Sequence, residues 1–485
     1  MKVKIFSKFF IAIMLLLGTG CNDWLDVTPQ AQVNGEKLFS TQAGFENALF
    51  GVYTSMANSS TYGMNMTWGF MDVLAQYYKV YSNSNHTYNE AAKYNYENGN
   101  SVDAIRNIWL YSYRTIANCN ILLEYLEEKG PAFFSDNKYQ LIKAEAMAVR
   151  AFVHFDMLRA FAPSWRDNKD GMSIPFADSF TNKVHKQLKT SEVVKRILED
   201  LGIARDLLKD IDPVFDETFK DMYYHYYQPA GNSPTIWDYR AFHMNYFAIT
   251  GLMARVYNYM GDKQAYTYAK EVIDAVHDGC FQFTPESELS ATAKSKNVTM
   301  ENEVLFALDF SGVQNLFYSM EATASARYEL LDVEALFPYP DDLRKNLVGD
   351  ASISEKMVSY KFADIKSDYG GKVPLIRMSE MFLIAAERRY EDDPTEALGF
   401  LGELQRMRGV PETTSVASFE QLITILTGEA RREFVSEGQM FYWYKRLDLP
   451  VDRGSGTVEL TKQNFSLPMP SAEIEFGGRV EEYLK

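Results

Sequence analysis

Residues 246–276 read YFAITGLMARVYNYMGDKQAYTYAKEVIDAV, and residues 377–407 read RMSEMFLIAAERRYEDDPTEALGFLGELQRM. Each stretch predicts a helix, a short polar turn and a second helix, because apolar side chains recur at three- and four-residue steps on both sides of the turn. A bulky residue, Tyr259 or Tyr390, precedes each turn, and alanine returns early in each second helix. This is the layout of tetratricopeptide-type hairpins, in which small residues seat the neighbouring helix.

The rest of the chain extends this pattern. A third hairpin is predicted over residues 144–208, and we expect about four such units stacked in one curved helical layer. Residues 281–373 and 411–428 have no clean period and are rich in Ser, Thr, Asp and Gly, so they predict loops and short elements. The expected fold class is therefore mostly α, with tetratricopeptide-like hairpins and an interleaved, loop-rich, irregular part.

The same pattern suggests a division of the chain. We expect a removable leader over residues 1–20 and a helical region with tetratricopeptide-type hairpins over residues 21–280. Residues 281–485 are expected to form a loop-rich C-terminal region that contains one helical hairpin at 375–408.

The N-terminus has the order of a secretory signal. Lys2, Lys4 and Lys8 precede an apolar run over residues 9–17, which is shorter than the roughly 18 residues that a membrane span needs. Small residues then lead to Cys21, and this arrangement resembles a bacterial lipobox, which predicts cleavage before Cys21 and lipid on its thiol. The alternative is an ordinary signal peptide with a chance cysteine.

Charge and cysteine content narrow the function classes. Loss of residues 1–20 removes three lysines and no acid, so the formal net charge falls from -16 to -19, which disfavours nucleic acid as a partner. After lipidation only Cys119 and Cys280 remain, too few for a disulfide scaffold or a thiolate metal cluster. Whether these two cysteines pair is left open by the sequence.

Common catalytic and metal-binding motifs are absent from the sequence. The six histidines are scattered, and His154 and Asp156 stand two apart on a predicted helix and point to different sides, which favours a core or solvated histidine. Residues 370–372 lack the flanking residues of a phosphate loop. Residues 167–171 imitate part of a calcium loop, but Ala177 stands where the closing glutamate should be. We therefore expect no cofactor, although calcium is not excluded.

Paired carboxylates for glycoside hydrolysis cannot be identified by spacing, because the two acids can come from anywhere in the chain. Glu433 and Glu437 lie four apart on a predicted helix, with Arg431 and Arg432 beside them. This arrangement favours an ion-paired structural role over a raised catalytic pKa.

Several stretches together resemble the SusD/RagB family of outer-membrane nutrient-binding lipoproteins. They occur in the family's order and span nearly the whole chain after the leader. They are CNDWLDVTP (21–29), WLYSYRTIANCNILL (109–123), AEAMAVRAFVHFDML (144–158), PLIRMSEMFLIAAE (374–387), LQRMRGV (404–410), RREFVSEG (431–438) and LPMPSAEI (467–474).

The resemblance implies a non-catalytic protein on the cell surface, anchored in the outer membrane by its N-terminal lipid. Members of the family cover a SusC-type TonB-dependent transporter and pass it oligosaccharide or peptide. Glycan capture is the leading expectation, peptide capture of the RagB type is the alternative, and a surface glycosidase is the third hypothesis.

Exposed aromatic side chains are the candidate ligand contacts, because they stack on the flat C–H faces of sugar rings while amides bond the hydroxyls. One cluster precedes the Trp109 motif, where the family often places a ligand-contacting loop, and a second follows residue 223. The candidate ligand-binding residues are Trp68, Tyr78, Tyr81, Asn85, Tyr88, Trp237 and Tyr239. The alternative for the first cluster is that Trp68, Phe70 and Leu74 form one buried helix face.

Overall fold

The computed structural model describes residues 35–215, 235–238, 240–292, 295–363, 370–454 and 456–481. The chain divides into two compact units, with the boundary after Phe45. The second unit, from Glu46 onward, contains the three predicted hairpins and all of the candidate ligand contacts that the structure describes.

Helices dominate the described residues, as the sequence predicts. In chain order they are α1 (Gln42–Met56), α2 (Phe70–Leu74), α3 (Gly99–Lys129), α4 (Lys138–Phe161), α5 (Trp165–Asn168), α6 (Thr190–Leu208), α7 (Tyr246–Met260), α8 (Gln264–His277), α9 (Glu286–Leu289), α10 (Val313–Glu321), α11 (Val333–Leu336), α12 (Met378–Arg389), α13 (Pro394–Met407), α14 (Phe419–Glu433), α15 (Met440–Leu447) and α16 (Ser471–Glu475). Short 3₁₀ turns lie at 91–93, 131–133, 213–215, 301–303 and 343–347.

Strands are few and short. They are β1 (Met172–Pro175), β2 (Gln187–Lys189), β3 (Val304–Asp309), β4 (Val348–Asp350), β5 (Met357–Ser359), β6 (Lys372–Arg377), β7 (Val451–Asp452) and β8 (Thr457–Val458). Within the described ranges they form antiparallel pairs, β1 with β2, β3 with β6, β4 with β5 and β7 with β8. The fold class is therefore mostly α, and that prediction is confirmed.

The three predicted hairpins are all present. They are formed by α4 with α6, α7 with α8, and α12 with α13. Neighbouring hairpins also pack on each other, through α6 with α7 and α8 with α12. The division of the chain at residue 280 stays a prediction.

Capping residues explain why the helices begin and end where they do. The Asn245 side chain accepts a hydrogen bond from the Ala248 N–H at 2.8 Å and begins α7, and Gly261 ends it with φ +75°. Asp393 caps α13 in the same way, with Pro394 in its first turn. The polar turns predicted from the sequence are thus helix caps.

A small residue allows the first helix of one hairpin to approach the β3–β6 pair. A Cβ atom placed on Gly251 of α7 would lie 3.1 Å from Leu305 Cδ1 and 3.4 Å from Ile376 Cγ2. These two neighbours belong to β3 and β6, and β6 continues directly into α12. A small residue therefore allows close packing of α7 on this strand pair.

The expectation of irregular structure over residues 411–428 is wrong for its second half. The Ser418 side chain caps α14, which runs from Phe419, and its apolar face buries Leu422, Ile423 and Leu426. Threonine and glycine residues among these positions obscured the helical period, because both are poor helix formers.

His154 lies in the core of α4. Its Nδ1 donates to the Arg150 carbonyl at 2.9 Å, and its Nε2 accepts from the Ala177 N–H at 3.0 Å. The ring stacks on Phe176 at 4.1 Å between centroids. Burial lowers the pKa of His154 to about 3. A second ring proton would point at the Ala177 N–H, so the folded protein holds the neutral ring.

This histidine gives the protein an acid-sensitive stability. The pKa of His154 in the folded protein, about 3, lies below its value of 6.5 in the unfolded chain. The contribution of the neutral ring to the free energy of unfolding is therefore fully present above pH 6.5 and is lost as the pH falls towards 3. At pH 5 the titration of His154 is expected to lower the free energy of unfolding by about 2 kcal/mol relative to pH 7 or above. Denaturant unfolding of wild type and His154→Gln at pH 7 and pH 5 checks this, since the variant lacks the titration. A difference between the two proteins that is unchanged with pH would contradict the prediction.

Candidate ligand-binding surface

The Tyr81 loop, residues 79–89, is held in place by a neighbouring segment. The Lys79 N–H donates to the Glu329 carbonyl at 2.9 Å, and the Thr87 N–H donates to the Ser325 carbonyl at 2.8 Å. The Lys79 ammonium also pairs with the Glu329 carboxylate at 2.6 Å. A loop anchored at both ends is already ordered, so a ligand that binds it loses little free energy to ordering.

This loop presents an aromatic ring and an amide at the surface. Tyr81 is half-buried, and the Arg453 guanidinium lies 4.8 Å from its ring centroid. The two amide N–H bonds of Asn89 fix the loop backbone at the carbonyls of Val80 and Tyr81. Asn85 is exposed, and among the described residues none bonds its side-chain amide. Tyr81 and Asn85 are thus accessible to a ligand.

Two other predicted contacts lie in the core, and the expectation of exposed stacking residues is wrong for them. Trp68 is 0% exposed, and its ring packs against Phe317 and Tyr328, each 5.2 Å away. Tyr78 is 2% exposed, and its hydroxyl lies 3.4 Å from that of Ser436. Both anchor the loop region to distant parts of the chain, so their role is structural.

Tyr88 is mostly buried and supports the loop from beneath. Its hydroxyl donates to Asn65 Oδ1 at 3.1 Å, and its ring meets Phe70 edge-on at 5.3 Å. Burial raises the pKa of Tyr88 to about 12. Its replacement would therefore disturb the loop as well as any ligand contact, and the residue is a poor probe of binding.

The second predicted cluster is only partly described. Trp237 is half-buried, and its backbone N–H donates to Thr235 Oγ1 at 3.3 Å. Tyr239, residues 216–234 and the predicted lipidation site Cys21 lie outside the described residues. Ligand contact by Trp237 and Tyr239 stays a prediction.

The structure also contains an open cleft that the sequence did not indicate. This helix-end cleft, with a volume of about 1040 Å³, lies where α7 and α12 end and is bordered by α5, α14, α15 and the β7–β8 hairpin. Its lining includes Trp165, Lys169, Tyr259, Arg388, Phe419 and Arg446. No local motif joins these positions, because they come from separate segments that only the fold brings together.

The acid pair considered for hydrolysis is bound in ion pairs. Glu433 is fully buried, and its carboxylate accepts hydrogen bonds from Arg408, Arg377 and Arg344. Burial opposes its ionisation, but these three guanidiniums hold the pKa of Glu433 well below its usual range. Glu437 accepts from Arg377 at 2.8 Å. An ion-paired structural role is therefore the better interpretation, although the partners are not the adjacent arginines expected from the sequence.

Two kinds of feature are absent from the part of the chain that the structure describes. No helix in it is both long and apolar enough to cross a membrane. No three or more His, Cys, Asp or Glu side chains of the described ranges converge on a point that could hold a metal ion.

Residues 23–230 match the SusD-like family, whose description is starch-binding associating with outer membrane. Over these residues the chain is similar to SusD-like proteins. A curated relative, SusD-like protein P2 of Formosa agariphila, is 26% identical over 210 residues, which are 43% of this chain. The matched region spans 39% of the length of that relative.

Solved structures extend the likeness in fold to most of the chain. A SusD superfamily protein from Bacteroides thetaiotaomicron has a TM-score of 0.71 at 22% identity, covering 90% of this chain and 98% of that one. Surface glycan-binding protein A from Bacteroides uniformis has a TM-score of 0.65 at 16% identity, covering 92% and 100%. At these identities the likeness shows the fold alone.

Proposed function

We propose that this chain is a non-catalytic surface lipoprotein that captures oligosaccharides and delivers them to a SusC-like TonB-dependent transporter of the outer membrane. The observation that carries the proposal is the Tyr81 loop, an anchored loop that holds an accessible tyrosine ring beside an unbonded amide at Asn85. The family description and the printed names of relatives, among them a surface glycan-binding protein, support a carbohydrate as the ligand.

The chemistry of the loop suits a sugar. A pyranose ring presents a flat C–H face, which packs on the Tyr81 ring, and its hydroxyls bond amide groups such as that of Asn85. The Arg453 guanidinium lies over the Tyr81 ring at 4.8 Å and fixes its orientation. The loop thus offers an aromatic face and an amide as binding contacts for a saccharide.

Anchoring and delivery rest on the N-terminus and the family. Lysines followed by a short apolar run and Cys21 support lipid attachment, which would keep the protein at the membrane. The family description supports association with the outer membrane. A lipid-anchored binding protein concentrates ligand beside a transporter, since tethering raises the effective concentration of the pair.

Replacement of Tyr81 by alanine is expected to weaken oligosaccharide binding by about 1 kcal/mol, roughly fivefold, because it removes the stacking ring and leaves the anchored backbone in place. The measurement is calorimetric titration of the soluble chain, residues 22–485, with each oligosaccharide that the wild type binds. Tyr339→Ala is the matched control, because Tyr339 is another accessible tyrosine (38% exposed) and has an arginine, Arg432, 5.5 Å from its ring.

The two variants together make the result decisive. Loss of affinity in Tyr81→Ala with no change in Tyr339→Ala would support the Tyr81 loop as the binding surface. Equal affinity in wild type and both variants would remove the loop from the proposal. Binding of peptides with no binding of oligosaccharides would replace glycan capture by peptide capture.

A further inference from the structure

The helix-end cleft is rich in cationic side chains on a strongly acidic chain. Its described lining has five cationic side chains and three carboxylates, whereas the chain has a formal net charge of -16. The C-terminal ends of α7 and α12 add about half a negative charge each, and Asp448 pairs with Arg166, so these charges sum to about zero. The cleft is therefore far less negative than the protein as a whole.

Two of the arginines share one buried carboxylate. Arg446 donates to both oxygens of Glu387 at 2.7 Å, and Arg388 donates to Glu387 Oε1 at 2.5 Å. Arg388 also donates to the neutral Asn258 amide oxygen at 2.5 Å. One carboxylate faces two guanidiniums, so one positive charge stays uncompensated within this group, next to the cleft.

Two further cations stand at the cleft in exposed positions. Among the described residues no carboxylate lies within ion-pair distance of Lys169. Arg166 pairs with Asp448 at 2.7 Å, but these side chains are 52% and 50% exposed, and such a pair contributes little stability. A ligand carboxylate can therefore pair with Lys169 and displace Asp448 from Arg166 at small cost.

Aromatic side chains line the same cleft. Trp165 and Phe419 are half-buried, and Tyr259 is buried in the wall. A flat aromatic surface next to uncompensated cations suits a ligand that has both an apolar ring face and an anionic group. Uronic acids have this combination, since each pyranose ring carries a carboxylate.

We propose that the helix-end cleft, whose lining includes no residue of the Tyr81 loop, is a second saccharide site and that it binds oligosaccharides with carboxylate-bearing rings. The proposal rests on the proposed function in that the chain captures glycans, and it adds the chemical class of ligand that this cleft takes.

Titration of the soluble chain with trigalacturonate and with its fully methyl-esterified form tests the proposal, because the two probes differ only in charge and the ester methyls. Trigalacturonate is expected to bind at least tenfold more tightly than the ester. Its affinity should fall as sodium chloride is raised from 50 to 500 mM, since the added contacts are between charges. Equal affinities for the two probes, or no binding of trigalacturonate, would overturn the inference.

Charge reversal at the cleft locates the effect. Lys169→Glu is expected to reduce trigalacturonate affinity at least fivefold, and Lys186→Glu, an exposed lysine outside the cleft lining, is expected to leave it unchanged. Identical affinities in these two variants would contradict the assigned site. Both positions are exposed, so neither change should prevent folding.

The outcomes separate this inference from the proposed function. Binding of neutral oligosaccharides that depends on Tyr81, without preference for trigalacturonate, leaves the proposed function intact and overturns the inference. Binding of acidic peptides that depends on Lys169, with every saccharide silent, overturns both.

Discussion

Replacement of Glu433 by glutamine is expected to lower the free energy of unfolding by about 3–5 kcal/mol, because it removes the negative charge that three buried guanidiniums share. The Glu433 carboxylate accepts from Arg408 Nε at 2.6 Å, Arg344 Nη1 at 2.9 Å and Arg377 Nη1 at 3.0 Å. Each of these arginines is at most 2% exposed. Glutamine keeps the shape of the side chain and removes the charge, so the loss measures the electrostatic role.

Urea unfolding at pH 7, or the thermal midpoint, gives the measurement. Glu412→Gln is the matched control, since Glu412 also pairs with an arginine, Arg406 at 3.1 Å, with both side chains largely exposed. That variant should change stability by at most about 1 kcal/mol. Similar losses in the two variants would contradict the structural role assigned to the buried cluster.

Gly438→Ala is the second change expected to have a large effect, about 3 kcal/mol of destabilisation from backbone strain and overpacking together. Gly438 has φ +71°, and an added Cβ would lie 2.2 Å from the Met66 carbonyl oxygen and 2.8 Å from Thr67 Cα. Its N–H donates to Asp72 Oδ1 at 3.0 Å. The backbone after α14 therefore sits against the loop before α2 with no room for a side chain.

Gly399→Ala supplies the control for this prediction, again by denaturant unfolding. Gly399 lies inside α13, and an added Cβ meets no heavy atom within 4 Å. Alanine there should raise the free energy of unfolding by about 0.5–1 kcal/mol, because glycine in a helix interior is unfavourable. Effects of the same sign in both variants would show that the close approach at Gly438 is not what decides its cost.

Local patterns in the sequence are sufficient to predict the hairpins. Helix periodicity and turn residues such as Gly261 and Asp393 act over a few positions, and both have the expected role in the structure. The sequence pattern did not predict helix α14, because Thr424, Thr427 and Gly428 lower its apparent helical character. Periodicity is a weaker signal where the outer face is built from poor helix formers.

The candidate site was harder to predict, because residue type does not determine exposure. Trp68 belongs to an aromatic-rich stretch, yet Phe317, Tyr328 and Phe362 from distant segments cover its ring. Tyr81, from the same stretch, stays accessible because it lies in the anchored loop. Only contacts with segments distant in sequence make Trp68 buried and leave Tyr81 accessible. Such contacts cannot be read from a single sequence.

The helix-end cleft illustrates the same limit for charge. Lys169, Arg388 and Arg446 are far apart in sequence and each has ordinary neighbours. The cleft forms because α7 and α12 end near each other and α14 and α15 border the space beside their ends. A cation-rich site assembled in this way has no motif that a sequence search could find.

The central claim, glycan capture without chemistry, is tested most directly by titrating the soluble wild-type chain, residues 22–485, with panels of oligosaccharides and of peptides. Each bound oligosaccharide is then recovered and its length compared with the starting material. The account predicts saturable binding of at least one oligosaccharide, recovered intact, and no binding of peptides. Binding of peptides alone, or hydrolysis that persists through repurification of the protein, would contradict it.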